Sequence, residues 1–155
     1  MPDPSTPAVG CTCFSLRKLT RTVSRLYDLH LAAAGMKTTQ YSLLRSIARE
    51  ALPVAELAAR LATERTTLTR TLKPLIDAGW VVLKPGTDSR QRIVTITDNG
   101  RDAIKKAGQA WRRAQTELEQ TLGMKAVRAL HLQLDAALNQ LTPLLERRAA
   151  HANDD

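Results

Sequence analysis

The chain has 155 residues, 43% of them hydrophobic and 25% charged, a globular balance sized for one compact domain. Lys and Arg number 23 against 15 Asp and Glu, and the net charge of +8 favours a polyanionic partner, nucleic acid ahead of a membrane surface. No uncharged apolar run reaches the ~18–20 residues of a membrane span, and residues 1–10, with three prolines, one acid and no basic stretch, do not make a secretory signal.

Residues 1–11 are expected to be a flexible tail. The first helix is predicted over residues 12–33, where Leu16, Leu19, Val23, Leu26 and His30 recur at steps of three and four. Gly35 stops it, because glycine adopts left-handed backbone without strain. A second helix over residues 39–50 starts behind Thr38 as a cap and buries Tyr41, Leu44 and either Ile47 or Ala48. Pro53 cannot continue that helix, so the chain turns near Leu52.

A short helix over residues 54–61 carries Val54, Leu57, Ala58 and Leu61 on one face. Ala62 and Thr63 connect it tightly to a helix over residues 65–78, which carries Leu68, Leu72, Leu75 and Ile76 and ends at Gly79. The period then changes. Val81-Val82-Leu83 and Ile93-Val94-Thr95-Ile96 flank Pro85-Gly86-Thr87-Asp88-Ser89, the pattern of a hairpin with a turn-rich tip. Thr97 caps a long helix over residues 98–122, and Gly123 breaks it. A final helix over residues 125–148 shows Val127, Leu130, Leu134, Leu138, Leu141 and Leu145, with Pro143 expected to kink it. Residues 149–155 are polar and expected to fray.

The fold class is therefore mainly α with a small β-hairpin wing: a winged helix–turn–helix with long terminal helices. Residues 51–97 form the winged module, between residues 12–50 and residues 98–148. The leucine stripes of the first and last helices need a partner, either each other or a second copy of the chain.

The second helix of the module bears the groups that could read DNA. Arg65, Thr66, Thr67, Thr69, Arg70 and Lys73 stand opposite the apolar stripe, with no acid among residues 65–73. Arginine can fork onto guanine, threonine can meet base edges, phosphates or a thymine methyl, and the helix start offers free N–H groups. A merely solvated face usually mixes in Glu and Asp. The hairpin adds Lys84, Arg90 and Arg92, and an arginine on such a loop can enter a minor groove. Asp88 is expected to brace Arg90 through a charge-assisted hydrogen bond.

In these residues the chain resembles the MarR family of dimeric winged-helix transcriptional regulators. The likeness lies in Val54-Ala55-Glu56-Leu57-Ala58-Ala59-Arg60-Leu61, in Thr66-Thr67-Leu68-Thr69-Arg70, and in Ala78-Gly79-Trp80-Val81. It continues through Asp88, Arg90, Val94, Ile96, Thr97 and Gly100. Trp80 replaces a usual aliphatic residue, and Pro53 stands where a capping Ser or Thr is common. The resemblance implies a homodimer with interlocked terminal helices, bound to a palindromic operator and released by a small ligand. It puts Thr66, Thr67, Thr69 and Arg70 at recognition-helix positions and Arg90 at the wing tip. It also implies a ligand pocket between the first, second and fifth helices and the winged module, for which Tyr27, His30, Tyr41, Arg45 and Trp111 are candidates as aromatic walls and one cation.

Without a signal, the expected compartment is the cytoplasm, where Cys11 and Cys13 are reduced thiols. They are small residues at a helix start, or alternatively a redox or soft-metal site, as some members of the resembled family sense oxidants through a cysteine near this helix. His30, His131 and His151 share no ligand spacing with them, so no metal site and no cofactor is expected. Ser, His and Asp occur in no catalytic arrangement and no phosphate-cradling glycine loop is present, so an enzyme is not expected. A low-specificity architectural DNA binder is the remaining alternative; it would bind every duplex alike.

Overall fold

The computed structural model describes residues 10–88 and 90–152; the expected tail over residues 1–9, Ser89 at the hairpin tip and residues 153–155 lie outside the described residues. The elements in order are α1 (Thr12–Leu31), a 3-10 turn (Ala32–Ala34), α2 (Thr38–Ile47), β1 (Leu52–Pro53) and α3 (Val54–Arg60). There follow α4 (Arg65–Asp77), β2 (Val81–Pro85), β3 (Arg92–Ile96), α5 (Asp98–Leu122) and α6 (Met124–Ala152). The chain divides into two compact units, one ending at Ala114 and one beginning at Gln115.

The first unit is built on a leucine core. Leu31 of α1, Leu43, Leu44 and Ile47 of α2, Leu57 of α3, and Leu68, Leu72 and Leu75 of α4 are buried with Val81 and Val94 of the strands. In α2, α3 and α4 the spacing of three and four marks Leu44, Ile47, Leu57, Leu68, Leu72 and Leu75, but it misses Leu43, and in α1 the buried Tyr27 and Leu31 lie one position off the expected stripe. Full burial of each such side chain contributes about 1.5–3 kcal/mol relative to exposure.

The sheet has three strands, where the sequence suggests two. Its order is β1-β3-β2, antiparallel throughout, with Leu52 opposite Val94 and Val81 opposite Ile96. Two residues are too few for a periodic signal, and a proline looks like a breaker. Pro53 is nevertheless tolerated because β1 is an edge strand, where an N–H is dispensable. Pro85 occupies the opposite edge, facing Arg92.

Thr38 is the first residue of α2 rather than its cap. Its N–H and its hydroxyl both donate to Asp28 Oδ1 of α1, at 2.6 and 2.7 Å, so a carboxylate from the neighbouring helix supplies the capping acceptor. Lys37 takes the cap position, and its N–H donates to Gln40 Oε1 at 2.9 Å. Helix α2 ends at Ile47, earlier than its pattern suggests. Two carbonyls at its end are met by arginines: Arg101 donates to Ala48 O at 2.6 Å, and Arg60 to Ser46 O at 3.5 Å.

In the second unit, α6 runs through Pro143 without interruption and on to Ala152, past the point where fraying is expected. Its leucines Leu132, Leu138, Leu141 and Leu145 are exposed. Among the described residues, no helix is long and apolar enough to cross a membrane.

The turn between α3 and α4 stores strain. Thr63 N–H donates to Ala58 O and Ala62 N–H to Ala59 O, the bond pair of a helix end that needs one left-handed residue. Here that residue is Ala62, at φ 48°. A Cβ in this conformation costs about 1–2 kcal/mol, partly offset in glycine by a freer unfolded chain. Ala62→Gly should therefore raise the unfolding free energy by about 0.5–1 kcal/mol, measured by urea titration, leaving the fold unchanged.

Candidate nucleic-acid interface

Helix α4 begins after Glu64, whose backbone is extended and whose side chain caps nothing. The carbonyl of Glu64 accepts the N–H of Leu68, which leaves the amides of Arg65, Thr66 and Thr67 pointing out of the helix start. No acidic side chain occupies that first turn. A phosphate is the natural complement to such an end.

With Leu68, Leu72 and Leu75 buried, the remaining faces of α4 are free to meet a partner. Thr66, Thr67, Thr69, Arg70 and Lys73 are all exposed, as is Arg65. Their chemistry is not equivalent. Thr69 donates its hydroxyl to Arg65 O at 2.8 Å, so its outward group is chiefly the methyl. Lys73 Nζ lies 3.0 Å from Asp77 Oδ2, one turn later on the same helix. Pro74 has no N–H to offer the Arg70 carbonyl, and its exposed position makes that affordable because water can replace the bond.

The wing is set against α4 by a hinge at its root. Gly79 is left-handed at φ 71°, and Trp80 N–H donates back to Leu75 O at 2.9 Å, turning the chain from α4 into β2. Thr97 closes the other end. Its hydroxyl donates to Gly79 O at 2.7 Å and accepts Gly100 N–H at 3.0 Å, while its own N–H donates to Trp80 O at 3.0 Å. Gly100 must lack a side chain, since a Cβ there would collide with the Trp80 carbonyl and Ile96.

Between α4, the start of α3 and the wing lies a groove of about 470 Å³. Arg65, Thr69 and Lys73 from α4 share it with Arg90 and Arg92 from the wing. The sequence nominates these five from two separate segments, and the fold brings them to one concavity. Lys84 is exposed on β2 outside it. Sequence reasoning missed Gln91, half-buried beside the two arginines, and it counted Ile76 on the apolar stripe of α4 and Leu83 simply as a strand residue, whereas both are partly exposed walls of the groove.

Asp88 does brace the wing, but not through the Arg90 guanidinium. Its Oδ1 accepts the backbone N–H of Arg90 at 2.9 Å, and its carbonyl accepts that of Gln91, also at 2.9 Å. An acceptor two residues before a turn amide is closer to that N–H than to the end of a long side chain. Gly86 N–H then donates to Gln91 O, and a Cβ at Gly86 would strike the Gln91 side chain.

Three of the candidate pocket residues form an aromatic cluster. The Trp111 ring lies 6.2 Å from Tyr41, stacked at 21°, and 6.3 Å from Tyr27, tilted at 56°. Tyr41, Ser42, Arg45 and Trp111 line a hollow of about 200 Å³. His30 is half-buried on α1 and does not line it. Cys11 and Cys13 are free thiols, both exposed at the start of α1. Among the described residues, no three His, Cys, Asp or Glu side chains gather as a metal site.

The sequence pattern of the MarR family matches residues 34–91, which contain α2, α3, α4 and most of the wing. The transcriptional regulator MosR of M. tuberculosis, solved in complex with DNA, is 35% identical and superposes with a TM-score of 0.72 over 82% of this chain and 96% of its own. A mutant MarR of E. coli complexed with operator DNA is 25% identical, with a TM-score of 0.72 over 79% of this chain and 90% of that one. A MarR-family regulator from a Rhodococcus species shares the fold at 17% identity, with a TM-score of 0.72 over 80% and 89%. No curated protein matches the chain in sequence.

The two neutral replacements of Asp88 separate the brace from its charge. Asp88→Asn keeps the acceptor and Asp88→Ala removes it, so in fluorescence anisotropy the Asn variant should bind duplex DNA more tightly than the Ala variant by about 0.5–1.5 kcal/mol. Equal affinities would show that the bond does not hold the wing in its working shape.

Proposed function

Because this chain belongs to the MarR family of winged helix–turn–helix transcription regulators, we propose that it acts as a cytoplasmic homodimer that grips a palindromic operator and represses nearby genes. The observation that carries the proposal is the shared groove, where three groups of α4 and two wing arginines converge beside the exposed Thr66, Thr67 and Arg70. Arg70 reads base edges in the major groove, Arg90 and Arg92 reach the neighbouring minor groove or its phosphates, and the free amides at the start of α4 hold a phosphate. The DNA in one of these similar structures and the operator DNA in the other belong to those proteins; here they support the direction of the reading.

Twofold pairing follows from the unburied stripes. Phe14, Leu16 and Leu19 on α1 and Leu132, Leu138, Leu141, Leu144 and Leu145 on α6 are exposed in the single chain. On this reading residues 12–50 and 98–148 supply the dimer interface and residues 51–97 the DNA-binding module. Two recognition helices then enter successive major grooves about one helical turn (~34 Å) apart, which demands an inverted repeat.

The effector reading places a small aromatic, preferably anionic, molecule against Tyr41, Trp111 and Arg45. A hollow of about 200 Å³ takes a single ring, and Arg45 supplies the counter-charge. A second reading rests on the two exposed thiols at the head of α1. Peroxide would take two electrons from Cys11 and Cys13, joining them as a disulfide and leaving water.

Enrichment of random duplexes on the purified full chain, followed by anisotropy, tests the main reading. One inverted repeat should be preferred over other duplexes by ~10³ or more. Arg70→Ala and Arg90→Ala should each weaken it by about 1–3 kcal/mol without lowering thermal stability. Monomers by light scattering, or equal affinity for all duplexes, would overturn it, the latter in favour of an architectural binder. For the thiol reading, peroxide should lower operator affinity in the wild type and leave Cys11→Ser unaffected; identical responses would remove it.

A further inference from the structure

Asp77 runs against the local rule for a helix C-terminus. It is the last residue of α4, where the helix dipole disfavours a carboxylate. It is exposed and lines the groove that otherwise gathers Arg65, Lys73, Arg90 and Arg92. It stands seven residues after Arg70 and four after Lys73, on the same side of the helix, so a duplex approaching that side meets a negative charge among positive ones. Its partner is Lys73, whose Nζ lies 3.0 Å from Oδ2 with both side chains largely in solvent. An exposed pair of this kind adds little to folding. A position where a sequence goes against a local rule is one where function can set the residue.

We propose that Asp77 is a positioning residue that restrains the protein's grip on DNA. It holds the Lys73 ammonium within the helix and repels the phosphate that Lys73 would otherwise meet. The consequence is a uniform reduction of affinity for every duplex, with one ion fewer released on binding. Such a restraint shortens residence on non-operator DNA, where attraction is almost wholly electrostatic. It also keeps operator affinity low enough for a modest change in half-site spacing to release the protein. The proposal rests on the reading of α4 and the wing as the DNA-binding surface.

The test is the salt dependence of duplex binding by the full-length protein. Anisotropy is measured on a non-operator duplex and on an enriched operator between about 50 and 200 mM salt, the range in which phosphate contacts dominate the response. Asp77→Asn should tighten binding to both duplexes by about fivefold to tenfold near 0.1 M salt, and steepen the slope of log affinity against log salt by about 0.9. Adding Lys73→Met to Asp77→Asn should return the slope to the wild-type value, because the added contact is the lysine's. Three outcomes overturn the proposal: an unchanged slope in Asp77→Asn, a steeper slope that survives Lys73→Met, or an effect confined to one sequence. Absence of duplex binding by the wild type would instead strike the reading beneath it. A melting temperature in Asp77→Asn at or above the wild-type value is expected from relief of the helix dipole; a lower one would mark Asp77 as structural.

Discussion

The position of the wing relative to α4 depends on what Thr97 does. One hydroxyl joins three elements: it donates to the carbonyl that ends α4's turn and accepts the amide that starts α5, while the same residue's N–H takes the Trp80 carbonyl. The sheet is too small to enforce an angle alone, since β2 and β3 are five residues each and β1 is two. Gly79 permits the approach by its left-handed backbone and Gly100 by having no side chain. Val94 and Ile96 then lie buried against the module's helices, and the groove has a fixed mouth.

That fixed mouth gives the positive charges their meaning. A net +8 dispersed over a surface attracts polyanions weakly and from every side, whereas cations on facing walls add their potentials in one place. Arg65, Thr69 and Lys73 are spaced by four and share one side of α4; Arg92 begins the facing strand, and Arg90 lies in the turn that Asp88 holds. The walls between them, Ile76 and Leu83, are partly exposed apolar side chains that bring no opposing charge. A carboxylate in such surroundings has more leverage than its count suggests. Asp77 is the one groove-lining residue whose charge opposes the rest.

Periodic features were legible in the sequence, and features made by single contacts were not. Leu68, Leu72 and Leu75 announce α4 and its buried side, and the same reckoning leaves Thr66, Arg70 and Lys73 outside. The change of period after Gly79 announces the hairpin. What escaped has no repeat to reveal it. β1 exists because Leu52 and Pro53 happen to lie beside Val94 and Ile93, a pairing across some forty residues. Thr38 looks like a cap until Asp28, ten residues earlier, is seen to supply the acceptor. The direction of the Asp88 bond likewise depends on a turn geometry that composition does not specify. For the candidate site, residue identities were readable because chemistry limits which side chains can meet DNA. Their convergence, and the presence of Gln91, Ile76 and Leu83 among them, required the fold.

The terminal helices show where a periodic signal stops being informative. A stripe of leucines declares a helix and one apolar side; it does not declare what covers that side. In α1 the stripe is exposed at Leu16 and Leu19 and half-buried at Val23, Leu26 and His30, while the fully buried Tyr27 and Leu31 lie one position beside it. In α6, Val127 is buried and Leu132, Leu138, Leu141 and Leu145 are not. Fully burying each leucine is worth about 1.5–3 kcal/mol, so leaving so many unburied forgoes an amount comparable to the ~5–15 kcal/mol by which a typical domain is stable. A chain that kept such stripes exposed would be selected against as an aggregation hazard unless a self-complementary surface covered them. The isologous pairing proposed above would meet that need with the chain's own sequence, and would supply in the same step the two symmetric reading heads that an inverted repeat requires.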